Sequence, residues 1–361
     1  MSKICMQLDK NFVVSEDFIN NLLLKKDFFV DEISIFFDLG FLETDTSSDF
    51  SRIKEEIQEV HYILKEREVA LNLLLDNACW GGKIFMTSYQ KKLERLLALV
   101  AEERIALVIM EPALINHIAL HYPEVNFIIA ASSSHGLFDF HLRCSYHEKY
   151  FNQNGNLKRI IIPSDLNRDF AAIREIRNAC ECSVAVKVNE GDIFCSPFKL
   201  SEETSLSHIN PYRDYEYYRM VKETFLTLRK ELFLKDPWRL IASPWVRPED
   251  LGYYEALGID CFTIMVNEGS NISGLAKAYG NQKYEGNIIS LLKEGDKFEK
   301  DIFLDNRWFD GFVDELEAGK GCIRDCGKCM ICIEKGKRWN HEAHEETRNQ
   351  GRYPSQTYPL P

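Results

Sequence analysis

The chain lacks most of the signatures that would assign it at once. No run approaches the roughly 18 consecutive apolar residues that cross a bilayer, so no membrane span is expected. The opening Met1-Ser2-Lys3-Ile4-Cys5-Met6 is not followed by an apolar stretch of signal-peptide type, and the expected location is cytoplasmic. No G-x-G-x-x-G follows the first strand-like run, which removes the usual sign of a dinucleotide site. There is no H-E-x-x-H and no G-x-S-x-G, so neither common hydrolase signature is present. Basic residues are in deficit: 44 Lys and Arg stand against 56 Asp and Glu, a formal net charge of −12. That balance argues against a broad nucleic-acid-binding face. Glycine and proline are sparse, at 19 and 11 of 361 residues, and 45% of the chain is hydrophobic. Global disorder is thereby excluded and a sizeable core is available.

What is present is a rhythm of short apolar runs and amphipathic stretches. Strands are predicted at Ile33–Leu39, Ala70–Asp76, Ala106–Met110, Asn126–Ala131, Arg159–Pro163, Ser183–Val188, Trp238–Ser243 and Cys261–Val266. Their near-continuous apolar character suits strands buried on both faces. Helix-length segments lie between several of them, at Ser51–Glu68, Tyr89–Glu103, Ala113–His121 and Leu166–Asn178. Alternation of this kind gives right-handed βαβ units and a parallel sheet. About eight strands over about 270 residues fit an α/β fold of (β/α)8-barrel type, with an open doubly wound sheet as the alternative. Residues 207–236 interrupt the rhythm as a Tyr-rich helical excursion with Tyr212, Tyr215, Tyr217 and Tyr218, read as packing on the barrel or as a lid or partner surface. The organisation expected is therefore a barrel over residues 1–320, a cysteine-rich segment over 321–334, and a polar tail over 335–361.

Eleven cysteines in a chain expected in a reducing compartment do not read as a disulfide framework. Four of them, Cys322, Cys326, Cys329 and Cys332, fall within eleven residues with C-x3-C-x2-C-x2-C spacing. Tight turns of this kind bring several thiolates together and leave backbone N–H groups free for cluster sulfides, which favours a 4Fe–4S cluster. Zinc is the alternative, although its sites more often use two separated pairs. The first three cysteines also match radical SAM spacing, but they follow the last predicted strand rather than an early one. Cys195 and Cys79 each follow a predicted strand and so belong to the rim of a barrel, where a buried structural thiol is the plain reading of either.

Several phrases occur together in a shared order: Asn77-Ala78-Cys79, then Val188-Asn189-Glu190-Gly191 with Cys195-Ser196-Pro197-Phe198-Lys199, then Trp245-Val246-Arg247-Pro248-Glu249-Asp250-Leu251 with Leu257-Gly258-Ile259-Asp260, and the terminal cysteine run. The set resembles the collagenase-like U32 peptidase family, which includes anaerobic ubiquinone-hydroxylation proteins. The resemblance implies an α/β barrel, a 4Fe–4S cluster, and oxygen-independent hydroxylation or another oxidative modification of a small molecule or peptide. Prephenate is implied as an oxygen donor. It also implies Cys195 as a candidate metal ligand and Arg247 as a site arginine. Asp192 stands where relatives often carry a second cysteine, and no Gly-x-Cys follows, so the ligand set is drawn from five cysteines: Cys195, Cys322, Cys326, Cys329 and Cys332.

Barrel strands end at the catalytic rim, so residues just after them are the candidates. These are Asn77 after Ala70–Asp76, Glu111 and Asn116 after Ala106–Met110, Ser132 and His135 after Asn126–Ala131, and Asn189 and Glu190 after Ser183–Val188. Arg247 follows Trp238–Ser243 and is the natural carboxylate anchor, because a guanidinium fork bonds two oxygens at once. Glu190 and Arg247 are assigned catalytic roles. Plainer readings stand beside these: Glu111-Pro112 also reads as a helix start, and Ser132-Ser133-Ser134 as an N-cap run. A peptidase or peptide-binding protein, and a non-catalytic metal-binding partner subunit or homo-oligomer, are the alternative functions.

Overall fold

The structure is a computed structural model and describes residues 2–9, 29–37, 47–75, 82–131, 148–209, 214–267, 269–319, 322 and 325–337. Eight parallel strands close into a barrel in sequence order: β1 Lys3–Leu8, β2 Glu32–Phe36, β3 Ala70–Leu75, β4 Ala106–Ile109, β5 Phe127–Ala130, β6 Leu157–Ile161, β7 Ser183–Lys187 and β8 Cys261–Val266. The ring is completed by β1 on β8, with Cys5 opposite Thr263. The (β/α)8 expectation is met, and the open doubly wound sheet is excluded by that closure.

The expected strands differ from the observed ones in two places. Lys3–Leu8 is a strand with no counterpart among those predicted. Trp238–Ser243 is not a strand: Trp238–Ala242 is a short helix entered through Pro237. A four-to-six-residue apolar run does not distinguish strand from buried helix, and proline at a helix start supplies the distinction.

The outer layer contains α1 Ser47–Lys65, α2 Thr87–Glu103, α3 Pro112–His121, α4 Phe170–Ala179, α5 Lys199–Ser207, α6 Tyr215–Lys235, α7 Trp238–Ala242, α8 Leu251–Ala256, α9 Ile272–Gly280, α10 Phe312–Ala318 and α11 Cys326–Cys329. Their apolar faces cover the outer side of the barrel: Leu93, Leu96, Leu97 and Val100 of α2 are all buried. Three helix starts are capped by the side chain before them, as sequence rules anticipate. Glu111 accepts from the Leu114 N–H, Asp169 from Ala172 and Asn271 from Gly274.

The barrel interior is narrow and mostly apolar, filled by Cys5, Leu74, Val108, Met110, Ile128, Ala130, Ile161, Ala185 and Cys261. Below this layer, at the N-terminal ends of the strands, Arg159 grips Glu32 with two bonds of 2.8 Å. Asn72 and Lys3 complete the carboxylate's partners, each at 3.1 Å. Burial alone would raise the Glu32 pKa, but the Arg159 hydrogen bonds and charge overcome it and hold the carboxyl at about 2. The pair therefore stays ionised inside the barrel.

The 207–236 excursion contains the last residue of α5 and the whole of α6, and α6 lies against the C-terminal mouth of the barrel. Of its tyrosines, Tyr218 is buried while Tyr215 and Tyr217 are exposed, and Tyr212 lies outside the described residues. Residues 331–337 are helical, so the first positions of the expected tail continue the cysteine segment. Lys335 anchors this helix through Glu315 at 3.2 Å and over the rings of Trp308 and Phe312. The rest of the tail lies outside the described residues.

Candidate active site and cysteine centre

The strand that carries most of the site is β7. Its sequence, Ser-Val-Ala-Val-Lys, is apolar until Lys187, which turns into the barrel mouth. Asn189 follows, fully buried, and ties three segments together: it donates to the Met265 and Leu291 carbonyls at 2.8 and 3.1 Å and accepts from the Met265 N–H at 2.7 Å. The Lys293 N–H closes on the Asn189 carbonyl at 2.7 Å. Asn189 is thus fully used as scaffold. Gly191 lets the turn at Leu292 approach, since a Cβ there would stand 3.1 Å from Leu292.

These contacts shape a cavity of about 120 Å³ at the C-terminal mouth. Its floor comes from β1, β7 and β8 through Gln7, Lys187 and Met265 and from Met110 just past β4, and its roof from α5 and α6 through Glu202, Tyr218, Lys222 and Arg229. Two charge systems line it. One is saturated: Arg229 binds Glu202 and, at 2.7 Å, Glu294, while Lys222 binds Asp9 and stands 3.6 Å from Glu294. The other is left partly open. Glu190 pairs with Lys199 at 2.8 Å through one oxygen, while Oε2 is buried without a hydrogen-bond partner. Burial opposes charge on Glu190, but Lys199, Lys187 and Lys293 together hold its carboxyl well below the usual range. Burial likewise opposes charge on Lys293, and Glu294, Asp9 and Glu190 reverse that, so it stays protonated. A buried carboxylate oxygen with a free lone pair in a cavity is an acceptor for a ligand's N–H or O–H. Protonated lysines facing the same cavity favour an anionic group.

Lys199 also donates to the Ser164 hydroxyl at 3.2 Å. Burial would favour loss of its proton, yet Glu190, Asp165 and Asp192 raise its pKa above the ordinary lysine value. A protonated lysine cannot take a proton from serine, so this contact is not a serine–lysine nucleophile as it stands.

The loop after β7 continues from this cavity to the cysteines. Asp192 lines the cavity, and Phe194, two residues on and so within about 7 Å along the chain, lines a second hollow. That hollow is walled by Cys322, Cys326, Cys329 and Cys332, with Arg168, Ala242 and Leu316. Cys195, next to Phe194, is exposed and has a left-handed backbone at φ 51°, pinned by its N–H to Asp165 Oδ1 at 3.0 Å. Cys326 and Cys329 are the first and last residues of α11, three positions apart and so on neighbouring positions of one helical face. Burial raises the thiol pKa of Cys332, and Arg168 opposes it. Four sulfur donors on one hollow fit a thiolate-bound iron–sulfur cluster or zinc in kind and number. Among the described residues, no three His, Cys, Asp or Glu side chains form a ready-made metal cage.

The remaining sequence candidates fall elsewhere. Arg247 does not line the mouth cavity. Its side chain is 4% exposed and engaged by Asp310 at 3.0 Å, Asp250 at 3.4 Å, Glu249 at 3.6 Å and the Asn306 carbonyl at 3.1 Å. The fork expected to hold a substrate carboxylate is occupied by the protein's own acids. Glu111 is the cap of α3, accepting from Leu114 at 2.6 Å, and Asn116 lies on that helix with a buried, unpartnered Oδ1. Neither lines the cavity. Asn77, Cys79, Ser132 and His135 lie outside the described residues. The residues that reading by strand ends missed are Lys187, Lys199, Lys222, Arg229 and Lys293. Lys187 alone carried a visible signal, a lysine closing an otherwise apolar buried strand.

No protein-family model matches the chain. An uncharacterized protease of Methanocaldococcus jannaschii is 28% identical over 291 residues, covering 78% of this chain and 80% of the relative. A solved U32 peptidase structure covers 74% of this chain and 93% of its own at 16% identity, with a TM-score of 0.47. A mutant tryptophan synthase α-subunit from Pyrococcus furiosus covers 62% of this chain and 95% of its own at 13% identity, with a TM-score of 0.33. The fold rests on the closed barrel itself rather than on these superpositions. The chain is thus similar over most of its length to an archaeal protein named a protease, and the ordered motifs of the β7 loop and the cysteine run resemble those of the U32 peptidase family.

Proposed function

We propose that the protein is a 4Fe–4S barrel enzyme that modifies a small anionic molecule or a peptide oxidatively, without molecular oxygen. The observation that carries this reading is the four cysteines around one hollow, joined by the short β7 loop to a cavity with an unsatisfied carboxylate oxygen. Cys322, Cys326, Cys329 and Cys332 would hold the cluster, and Cys195 stands beside them as the fifth candidate. When bound, such a cluster supplies electron transfer to or from the neighbouring cavity. The chain's own residues do the rest. Lys187 and Lys293 attract and orient a carboxylate, which a molecule such as prephenate would provide. Glu190 accepts a hydrogen bond from a hydroxyl or amide of the ligand. Lys199 holds Glu190 in place and keeps it ionised. Tyr218 and the helices α5 and α6 cover the mouth and limit water.

A second reading, a peptidase, is favoured by the name of the archaeal relative, a protease. Its difficulty is chemical. The serine–lysine contact that would serve as a nucleophile has its lysine kept protonated by Glu190 and the acidic residues around it.

A visible spectrum with iron and sulfide analysis, on protein purified without oxygen, tests the proposal. Broad absorbance near 400 nm with about four irons per chain is the expected result. Colourless protein with one zinc would overturn the redox reading and move the peptidase and binding-protein readings ahead. Cys326→Ser should lose the chromophore; full iron content in that variant would remove the terminal cysteines from the centre.

A further inference from the structure

Arg168 lies in the turn between β6 and α4, outside every motif singled out from sequence. It is 6% exposed. Its guanidinium donates to the Ile241 carbonyl and, at 3.4 Å, to the Trp245 carbonyl. It lies between two rings, 4.9 Å from Trp245 and 5.2 Å from Phe312. These contacts fix its orientation, and none of them is an anion. Asp250 senses its charge through space, but the atom set against it is the Cys332 sulfur, 3.9 Å from Nη1. At the other end of the same residue, the Arg168 carbonyl accepts the Cys322 N–H at 2.7 Å. One residue therefore touches the first and the last cysteine of the run.

A buried guanidinium held by carbonyls and aromatic faces is stable only where a negative partner completes it. Metal-bound sulfur is such a partner. Groups that hydrogen-bond or charge-pair with ligating sulfur set both the geometry and the potential of a metal centre. We propose that Arg168 is the positioning residue of the cysteine centre: its carbonyl fixes Cys322, and its guanidinium holds a permanent positive charge against the Cys332 sulfur. The charge stabilises the reduced, more negative state of a bound cluster and raises its potential. This rests on the reading of the four cysteines as a metal centre given above, the effect on potential applying where the metal is a cluster, and the experiment separates the two.

The experiment compares the wild-type protein with Arg168→Gln and Arg168→Lys, all purified without oxygen. Midpoint potential is measured by redox titration of the chromophore, and metal retention by competition with a chelator. Arg168→Gln should shift the potential negative and weaken metal retention by about 10-fold to 100-fold, the range for a lost outer partner. Arg168→Lys keeps the charge and should return the potential most of the way to wild type. Wild-type potential and retention in Arg168→Gln would overturn the proposal, as would an equal shift in both variants, which would mark a packing role alone. Should the Gln variant not fold, Arg168→Met, an uncharged stem of similar length, gives the same readout. A colourless wild-type protein with one zinc would end the cluster reading but not this one. The variants are then compared by zinc retention, with the same loss expected in Gln and the same overturning result if it is absent.

Discussion

The two ends of the barrel use buried charge in opposite ways. At the N-terminal end, Glu32 and Arg159 satisfy each other through two short bonds, and Asn72 and Lys3 take up what remains. At the C-terminal end, Glu190 gives one oxygen to Lys199 and leaves the other without a partner, while Lys187 and Lys293 face the same cavity. A saturated pair rigidifies and offers nothing to a ligand. An incomplete pair is costly in the free protein and is completed by binding. In a (β/α)8 barrel this is the division expected between a stability face and a functional face.

The largest effect should come from breaking the saturated end. Glu32→Gln leaves the Arg159 guanidinium buried without its counter-charge, and about 3–5 kcal/mol of stability should be lost. Chemical denaturation measures it, and a loss below about 1 kcal/mol would show that the pair is not a structural element. Acid should dissect the same pair without mutation. The Glu32 pKa is depressed from 4.5 to about 2, so its contribution is fully present above pH 4.5 and is lost as pH falls from there toward 2. That interval corresponds to about 3 kcal/mol, and the wild-type protein should show this slope while Glu32→Gln shows a flatter one.

At the open end, Glu190→Gln should change function more than stability, because Asp165 and Asp192 still balance Lys199. Turnover should fall about 100-fold, the low end for loss of a positioned acid–base or hydrogen-bonding group. A larger change in unfolding midpoint than in turnover would make Glu190 a second structural pair and erase the contrast between the ends. The smallest effect concerns Arg247. Because its fork is occupied by Asp310, Asp250 and Glu249, Arg247→Lys should cost about 1–2 kcal/mol of stability and leave ligand affinity unchanged. Weakened binding at full stability would return Arg247 to the site.

Much of the architecture was legible because parallel buried strands are written as unbroken apolar runs. Ala106–Ile109 and Ser183–Lys187 were readable for that reason. The strand count agreed only because two errors cancelled. Lys3–Leu8 carries Lys and Gln among its six residues and lacks the β-branched density of its neighbours, while Trp238–Ala242 is as apolar as a strand and shorter than a typical helix. Among the residues that line the two hollows, Glu190 and the four cysteines were legible as candidates because chemistry or spacing marks them. The lysines were not. They come from a strand, two helices and a distant turn, and only the closed barrel brings them to one mouth. Arg247 misled for the complementary reason: a sequence shows that an arginine follows a strand, but not that three acids already occupy it.

The ionic plug and the apolar filling above it have one more consequence. Among the described residues they close the barrel from below, so a ligand reaches the cavity from the C-terminal side, where α5 and α6 line it. A molecule held there leaves on the side from which it arrived, past the side chains that α5 and α6 contribute to the lining.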